Sequence, residues 1–312
     1  MKTHNRSIAQ RNMLMSVELI KVMKLLEENN IEAIPFKGPL LAQMAYGDIT
    51  LRQYVDLDIL INEHKLDKAI QLLSKHNYVY NQKEYQQIMK NKSIFHDISL
   101  SKNSVSIELH WRLFSDEFKT NFESIKIDKN LFEVTIANYK LKSFQNEILI
   151  IYLAIHGTKH NWERVEWLLD IVKIIQNHSV DWQQIIELMH TTKTKKILLS
   201  TFYLCHTVLD LNLPYEIQTL VHNPKSLKLS KSLEELFYQN FKSRITQKVA
   251  TKNISKIQYL LLDGFRNKSL FILSLFTPTE LEFKTIQLPQ SMRFLYYIIR
   301  PVNVLLRWIK KI

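Results

Sequence analysis

Residues 54–61 read YVDLDILI, a run in which acidic and apolar side chains alternate. Alternation with a period of two is typical of a β-strand, in which residues i and i+2 point to the same face. Asp56 and Asp58 are therefore expected side by side on one face, with Val55, Leu57 and Ile59 packed into a core on the other. Two carboxylates at this spacing repel each other unless a cation lies between them, and a divalent metal with oxygen ligands would supply it. Two solvated acids on an exposed strand edge would give the same pattern.

A third acid, Glu108, lies in a second strand-like segment, SVSIELHWRL at 104–113, between the apolar residues Ile107 and Leu109. If this strand lies next to the first, the Glu108 carboxylate meets the two aspartates. Three convergent acids are what two-metal phosphoryl transfer requires. A salt-bridged strand residue is the plainer interpretation of Glu108 taken by itself.

The chain has 312 residues and only 4 glycines, at positions 38, 47, 157 and 264. No two are close enough to form a G-x-G-x-x-G turn or a G-x-x-x-x-G-K loop. The sequence therefore argues against a dinucleotide-binding fingerprint and against a P-loop. Any phosphate chemistry must rest on carboxylates, metal and isolated cations.

The N-terminal part mixes helix and strand patterns, whereas the part after about residue 140 is patterned as helices, with no convincing strand. Apolar periodicity predicts helices at 8–29 and 64–76 and strands at 31–36, 54–61, 93–100 and 104–113. The last two strands are expected to form an antiparallel pair joined through Lys102 and Asn103. The predicted fold class is α+β, with an α/β domain at 1–138 and a helical domain at 139–312.

The composition, 46% hydrophobic and 23% charged, is that of a folded globular protein. Cys205 is the only cysteine, which excludes an internal disulfide and fits a reducing compartment. Neither a signal-peptide pattern nor a run of about 18 apolar residues is present, so a cytoplasmic protein is expected. The net charge of +12 indicates either acidic partners or a solvated basic surface.

The C-terminal segment from Pro289 to Ile312 carries five cationic residues and no acid. Arg293, Arg300 and Arg307 recur every seven residues, so the segment is predicted to form a basic amphipathic helix. Such a helix could contact an anionic membrane surface peripherally or bind an acidic partner. It could also dock on the helical domain by its apolar side and expose the arginines.

Together these residues resemble the DNA polymerase beta-like nucleotidyltransferase superfamily and, within it, the bacterial family of uncharacterised nucleotidyltransferases. The shared pieces are FKG at 36–38, arginine at 52, DLDILI at 56–61, ELHWRL at 108–113 and HGTKHNWERVEWLLD at 156–170. The resemblance implies a small mixed sheet with flanking helices in the N-terminal domain, followed by helices. It also implies that Asp56 and Asp58 bind two metal ions, Mg²⁺ or Mn²⁺. Glu108 would complete one metal site and help to deprotonate the acceptor hydroxyl.

The wider superfamily usually has a Gly-Ser pair that touches the triphosphate, and here Lys37, Gly38 and Pro39 stand at that place. We therefore predict that the nucleotide phosphates are bound by Lys37, Gly38 and Arg52 in place of the Gly-Ser pair. For Arg52, an ion pair with the D-x-D strand is the alternative interpretation.

His156 and His160 are four residues apart and share one face of a predicted helix. A zinc metalloprotease would need glutamate after the first histidine, where Gly157 stands, so that class is not expected. The family resemblance suggests substrate-facing roles for a larger set of residues. These are His110, His156, Lys159, His160 and Arg164. Hydrogen-bonded helix histidines are the plainer interpretation, and the nearby Trp162 and Trp167 are more typical of a core.

The sequence as a whole predicts an enzyme that moves a nucleoside monophosphate from an NTP to a hydroxyl or phosphate of a small-molecule, sugar or peptide acceptor. One alternative is a nucleotide- or partner-binding protein of the same fold without turnover, which the absent serine favours. A D-x-D glycosyltransferase ranks lower, because its nucleotide-binding half needs about 100 residues before the motif. Nucleic acid is not an expected partner, since no recognisable binding module is present.

Overall fold

The computed structural model describes residues 2–114, 120–127, 131–246, 254–286 and 288–309. The chain divides into two compact units, one formed by Met1–Ser115 with Ile127–Gln145 and the other by Asp116–Lys126 with Asn146–Ile312. Helix accounts for 62% of the structure, and the strands form a small mixed sheet at the N-terminal end. The predicted α+β class is confirmed.

The first unit contains the strands. Its elements are α1 (Lys2–Glu28), β1 (Ala33–Pro35), α2 (Gly38–Tyr46), β2 (Asp56–Ile61), α3 (Leu66–Lys75), α4 (Gln82–Lys90), β3 (Asp97–Lys102), β4 (Val105–His110), β5 (Leu131–Ile136) and β6 (Tyr139–Phe144). A single 3-10 turn at Glu63–Lys65 precedes α3.

Four strands form one sheet in the order β1-β2-β4-β3. β2 and β4 are parallel, whereas β1 and β3 pair antiparallel on the two outer sides. A parallel pair needs a long connection, and here the chain returns through α3, α4 and β3. The predicted β3–β4 hairpin is confirmed, with Lys102 paired to Val105 and Asn103 in the left-handed conformation that such turns favour.

One face of the sheet lies in the core of the first unit. Leu57, Ile59, Ile107 and Leu109 are all buried there, at most 1% exposed, as the alternation predicts. Val55, which the same alternation would place in this core, is 51% exposed because β2 begins only at Asp56.

β5 and β6 form a separate hairpin that the sequence analysis does not predict. The predicted boundary between residues 138 and 139 falls in its turn, where Ala137 and Asn138 both have positive φ. The hairpin is tied to the sheet, since Ser143 Oγ donates a hydrogen bond of 3.0 Å to the Pro35 carbonyl. The compact unit therefore extends to Gln145, and residues 139–145 belong with the strands rather than with the helices.

The second unit is helical in the residues that the structure describes. Its helices are α5 (Asn146–Lys159), α6 (Val165–Asn177), α7 (Trp182–Thr191), α8 (Lys195–Leu209), α9 (Tyr215–Val221), α10 (Pro224–Thr246), α11 (Ile254–Leu261), α12 (Phe265–Ser274), α13 (Glu280–Thr285) and α14 (Tyr296–Ile309), with 3-10 turns at Phe122–Ser124 and Gln290–Leu295. No helix in the described ranges is long and apolar enough to cross a bilayer.

The predicted exposure of an arginine stripe on the C-terminal helix is wrong at Arg300. This side chain is 8% exposed, and its guanidinium lies 3.4 Å from Glu282 Oε1. Glu282 is fully buried, where it caps α13 by accepting hydrogen bonds from the backbone N–H and hydroxyl of Thr279. A buried carboxylate requires such partners, so the charge draws the arginine inward. The side chain of Arg307 lies outside the described residues.

Gly157 sits inside α5, against the ring of Trp162 just beyond the helix end. A Cβ on Gly157 would overlap the ring carbons Cζ3 and Cη2 of Trp162. Trp162 is 1% exposed, so its interpretation as a core residue is confirmed. The glycine is thus explained by packing.

Replacing Glu282 by glutamine should lower the free energy of unfolding by about 2 to 5 kcal/mol at neutral pH, because Arg300 would be left buried without its counter-ion. The partners of Glu282, Thr279 first and then Asn303 and Arg300, overcome the effect of burial and lower its pKa. The stabilisation is therefore present above the unfolded pKa and lost as pH falls through the folded one. Urea unfolding against pH measures both effects, with Glu280→Gln in the same helix as control. An equal loss in both variants would contradict this account.

Gly157→Ala should destabilise the protein by about 1 to 3 kcal/mol through overpacking, although alanine favours helix. A double-mutant cycle with Trp162→Leu tests the cause by thermal or urea unfolding. The cost of Gly157→Ala should shrink once the indole ring is gone. A cost that is the same in both backgrounds would mean that the ring is not the obstacle.

Candidate active site

The parallel pairing of β2 with β4 positions the acidic residues. Its register sets Asp56 opposite Ser106 and Asp58 opposite Glu108. Residues i and i+2 share a face, so all three carboxylates lie on the face opposite the core. The convergence predicted for Asp56, Asp58 and Glu108 thus has its basis in one pair of strands.

The three acids differ in their exposure. The side chain of Asp58 is only 1% exposed, whereas that of Glu108 is 31% exposed. Burial, with repulsion from Asp58 and Glu108, raises the pKa of Asp56 to about 6. Lys37 and Arg52 oppose that shift without cancelling it. The cluster is therefore short of positive charge at neutral pH.

Asp58 lies at the centre of the cluster and is held by two cations. Lys37 Nζ is 2.8 Å from its Oδ1, and His110 Nε2 is 3.3 Å from the same oxygen. Burial alone would raise the pKa of Asp58, but Lys37 and His110 together lower it below its ordinary value. The second oxygen, Oδ2, is buried and has no hydrogen-bond partner among the described residues.

His110 ends β4 and is buried, 4% exposed. Its Nε2 lies between Asp58 Oδ1 and Glu108 Oε2, at 3.3 Å and 3.5 Å, as ionic contacts rather than well-aligned hydrogen bonds. Burial would lower the pKa of His110, but these carboxylates raise it to about 9. The structure places His110 beside the acids as a buried partner, and the substrate-facing role that the sequence analysis assigns to it stays a prediction.

The segment before β2 carries the predicted phosphate-binding residues. Gly38 begins α2 with φ of 57°, and a Cβ there would lie 3.1 Å from the Asp56 carbonyl oxygen. This position therefore favours glycine on both counts. Arg52 lies in the loop that leads into β2, where the buried Asn12 donates hydrogen bonds of 2.8 Å to the carbonyls of Ile49 and Arg52. Lys37, Gly38 and Arg52 all lie close to the acids, while their contact with phosphate stays a prediction.

Two groups of side chains place potential ligand atoms within 4.8 Å of one another. One is Asp58, Glu108 and His110, and the other is His96, Asp97 and His110. The sequence analysis missed His96 and Asp97, although Asp97 begins the strand that it pairs with β4, where Asp97 lies opposite His110. Carboxylate oxygens suit Mg²⁺ or Mn²⁺, and the unpartnered Asp58 Oδ2 offers such a ligand. The residues present therefore fit a divalent cation.

The histidine motif lies in the second unit. The rings of His156 and His160 lie at a tilt to each other, with centroids 4.7 Å apart, and Trp167 contacts both rings. The Arg164 guanidinium carbon lies 6.0 Å from the centre of the Trp167 ring, and Lys159 ends α5. The two histidines, Trp167 and Arg164 form one aromatic and basic cluster. The substrate-facing role predicted for His156, Lys159, His160 and Arg164 stays a prediction.

Comparison with known proteins identifies the family. The model of a family described as uncharacterised nucleotidyltransferase matches residues 1–210. No curated protein matches the chain. An antigenic nucleotidyltransferase-like protein from Paracoccidioides brasiliensis is similar in structure, with 12% identity and a TM-score of 0.36 over 67% of this chain and 91% of that chain. This likeness is too distant to support a conclusion about activity.

The family match covers more than half of the chain and includes both β2 and β4, which carry the acids, as well as the histidine motif. The resemblance drawn from the sequence motifs is confirmed. The chain belongs to the uncharacterised nucleotidyltransferase family.

Proposed function

We propose that the protein transfers a nucleoside monophosphate from an NTP to a hydroxyl or phosphate of an acceptor. The acceptor class is a small molecule, a sugar or a peptide. Asp56, Asp58 and Glu108 would hold the divalent metal, Mg²⁺ or Mn²⁺. The observation that carries the proposal is the placement of these three carboxylates on one sheet face by the β2–β4 register. The family membership supports nucleotidyl transfer as the reaction class.

A metal requirement is supported by the charge balance of the cluster. Burial, and then repulsion from Asp58 and Glu108, raises the pKa of Asp56, and a divalent cation would offset both effects. Asp58 Oδ2 is a buried oxygen that lacks a hydrogen-bond partner in the described part of the chain. When bound, Mg²⁺ would neutralise charge on the phosphates and lower the pKa of the attacking hydroxyl. Two ions are expected from the resemblance to the wider superfamily.

The differing exposure of the acids suggests different roles. Asp58 is almost fully buried and is held by Lys37, so it would be the fixed ligand of the metal. Glu108 is the more accessible, so it would accept the proton of the acceptor hydroxyl. Lys37 would bind the phosphates once a metal takes its place beside Asp58, and Arg52 would add a second positive charge.

One observation favours the alternative function, a nucleotide- or partner-binding protein of the same fold that does not catalyse a reaction. Lys37 and His110 already neutralise Asp58, as they would in a protein that binds a nucleotide or partner through cations alone. Nucleotide binding that is independent of metal, with no product, would support it. A glycosyltransferase has no comparable support, since the family match is to nucleotidyltransferases. A cytoplasmic location and the absence of a nucleic-acid partner stay predictions from sequence.

Pyrophosphate release from each NTP, measured with Mg²⁺ and a panel of acceptors, tests the activity. Asp56→Asn and Glu108→Gln should each lower the rate at least about a hundredfold, because each removes a metal-binding charge. Glu63→Gln changes an exposed acid just beyond β2 and serves as the matched control.

The control variant should release pyrophosphate at the wild-type rate. Chelation of the metal should abolish pyrophosphate release by the wild-type protein. Release that persists in both site variants would show that the catalytic site lies elsewhere. NTP binding by calorimetry separates loss of binding from loss of chemistry.

Asp56→Asn should also stabilise the metal-free protein near neutral pH, by roughly 1 to 3 kcal/mol. The pKa of Asp56 is raised to about 6 from 3.8, so the folded state binds this proton more tightly than the unfolded chain does. The free energy of unfolding therefore falls as pH rises from 3.8 to about 6, and it should not fall in the Asp56→Asn variant, which has no proton to lose there. Urea unfolding in the presence of a chelator should show the gain above this pH range and none below it. Destabilisation at neutral pH would mean that the carboxylates are not in conflict.

A further inference from the structure

The C-terminal helix α14 turns an apolar face to solvent. The structure describes the side chains of residues 296–306 of this helix, and those that are exposed lie in one arc, given a rotation of about 100° per residue. They are Tyr297, Ile298, Val302, Leu305 and Leu306, each between 47% and 60% exposed. None of these five is charged, so this helix reverses the usual arrangement in which polar residues face water.

The opposite face of α14 is held inward by polar contacts. Arg300 pairs with the buried Glu282, and Asn303 Nδ2 donates a hydrogen bond of 3.2 Å to Glu282 Oε1. Tyr296 is 1% exposed, and its hydroxyl donates a hydrogen bond of 2.6 Å to the Ile286 carbonyl. Rotating the helix to bury its apolar face would break all three contacts and leave the Glu282 carboxylate buried without its cation. The outward direction of the apolar face is therefore built into the packing.

The chain segment that carries this face is rich in positive charge. Residues 289–312 contain five cations, Arg293, Arg300, Arg307, Lys310 and Lys311, and no acid. Glu282 offsets Arg300, which leaves an excess of positive charge in the segment that carries the apolar face. An apolar helix face combined with cations is the pair of signals that stable binding to an anionic lipid surface requires.

We propose that α14 lies in the interface of an anionic lipid bilayer, with Ile298, Val302 and Leu305 among the side chains that enter the acyl boundary. The charge argues against a second copy of the chain as the occupant, because a two-fold interface would bring the same cationic segment against itself. This proposal is independent of the nucleotidyl transfer proposed above, since it rests only on α13, α14 and the charge of residues 289–312.

Flotation of the full-length protein with vesicles tests the proposal. Vesicles of phosphatidylcholine with phosphatidylserine are compared with vesicles of phosphatidylcholine alone. The protein should float with the first, detach as salt is raised, and bind the second at least about tenfold more weakly. Ile298→Gln with Val302→Gln should lower binding to the anionic vesicles by at least about tenfold.

The matched control is Met13→Gln with Val17→Gln, an exposed apolar pair of the same spacing on α1, 53% and 49% exposed. It should bind as the wild type does. Lys310→Gln with Lys311→Gln tests the charge separately and should weaken binding several-fold even if the first variant folds poorly. Failure of the wild type to float, or equal flotation of all variants, would overturn the proposal. A dimer in sedimentation that the Ile298 and Val302 changes dissociate would identify a second copy as the occupant and overturn it too.

Discussion

The repulsion among three carboxylates on one sheet face is the constraint on which the candidate site depends. The parallel register of β2 and β4 sets Asp58 opposite Glu108 and leaves Asp56 two residues away on the same face. The apolar residues on the other face, among them Leu57 and Ile107, hold the strands in this register, since a slip by one residue would expose them. The core therefore enforces a cluster of like charges that the chain would not form for stability alone.

The surrounding residues reduce this repulsion but do not remove it. Lys37 and His110 are aimed at Asp58, the most buried acid, whereas Asp56 keeps a pKa of about 6. A cluster of carboxylates whose repulsion is only partly compensated is typical of a site that binds a cation or a charged substrate. The close approach of Gly38 to the Asp56 carbonyl fits this view, because it brings the start of α2 against the strand that carries the acids.

The sequence predicts the pieces of the site better than their arrangement. Period-two alternation identifies β2 and β4, and the turn at Asn103 predicts the β3–β4 hairpin, because these signals are local. The parallel pairing of β2 with β4 is a long-range contact that the local sequence pattern does not reveal. Without knowledge of that pairing, His110 could not be recognised as the partner of Asp58. In β6, Lys140 and Lys142 alternate with Leu141 and Ser143, which is the same local signal, so the β5–β6 hairpin could have been predicted and was missed. The exposure predicted for Arg300 is wrong, because a seven-residue spacing shows which residues share a face of a helix and not which way that face turns.

Anomalous diffraction from crystals soaked in Mn²⁺ with a non-hydrolysable NTP would test whether Asp56, Asp58 and Glu108 form a divalent-metal and nucleotide site. We expect an anomalous peak on these three carboxylates, with the triphosphate beside it and Lys37 moved from Asp58 towards the phosphates. A peak on His96, Asp97 and His110 with none at Asp56, or nucleotide bound without metal, would contradict this assignment.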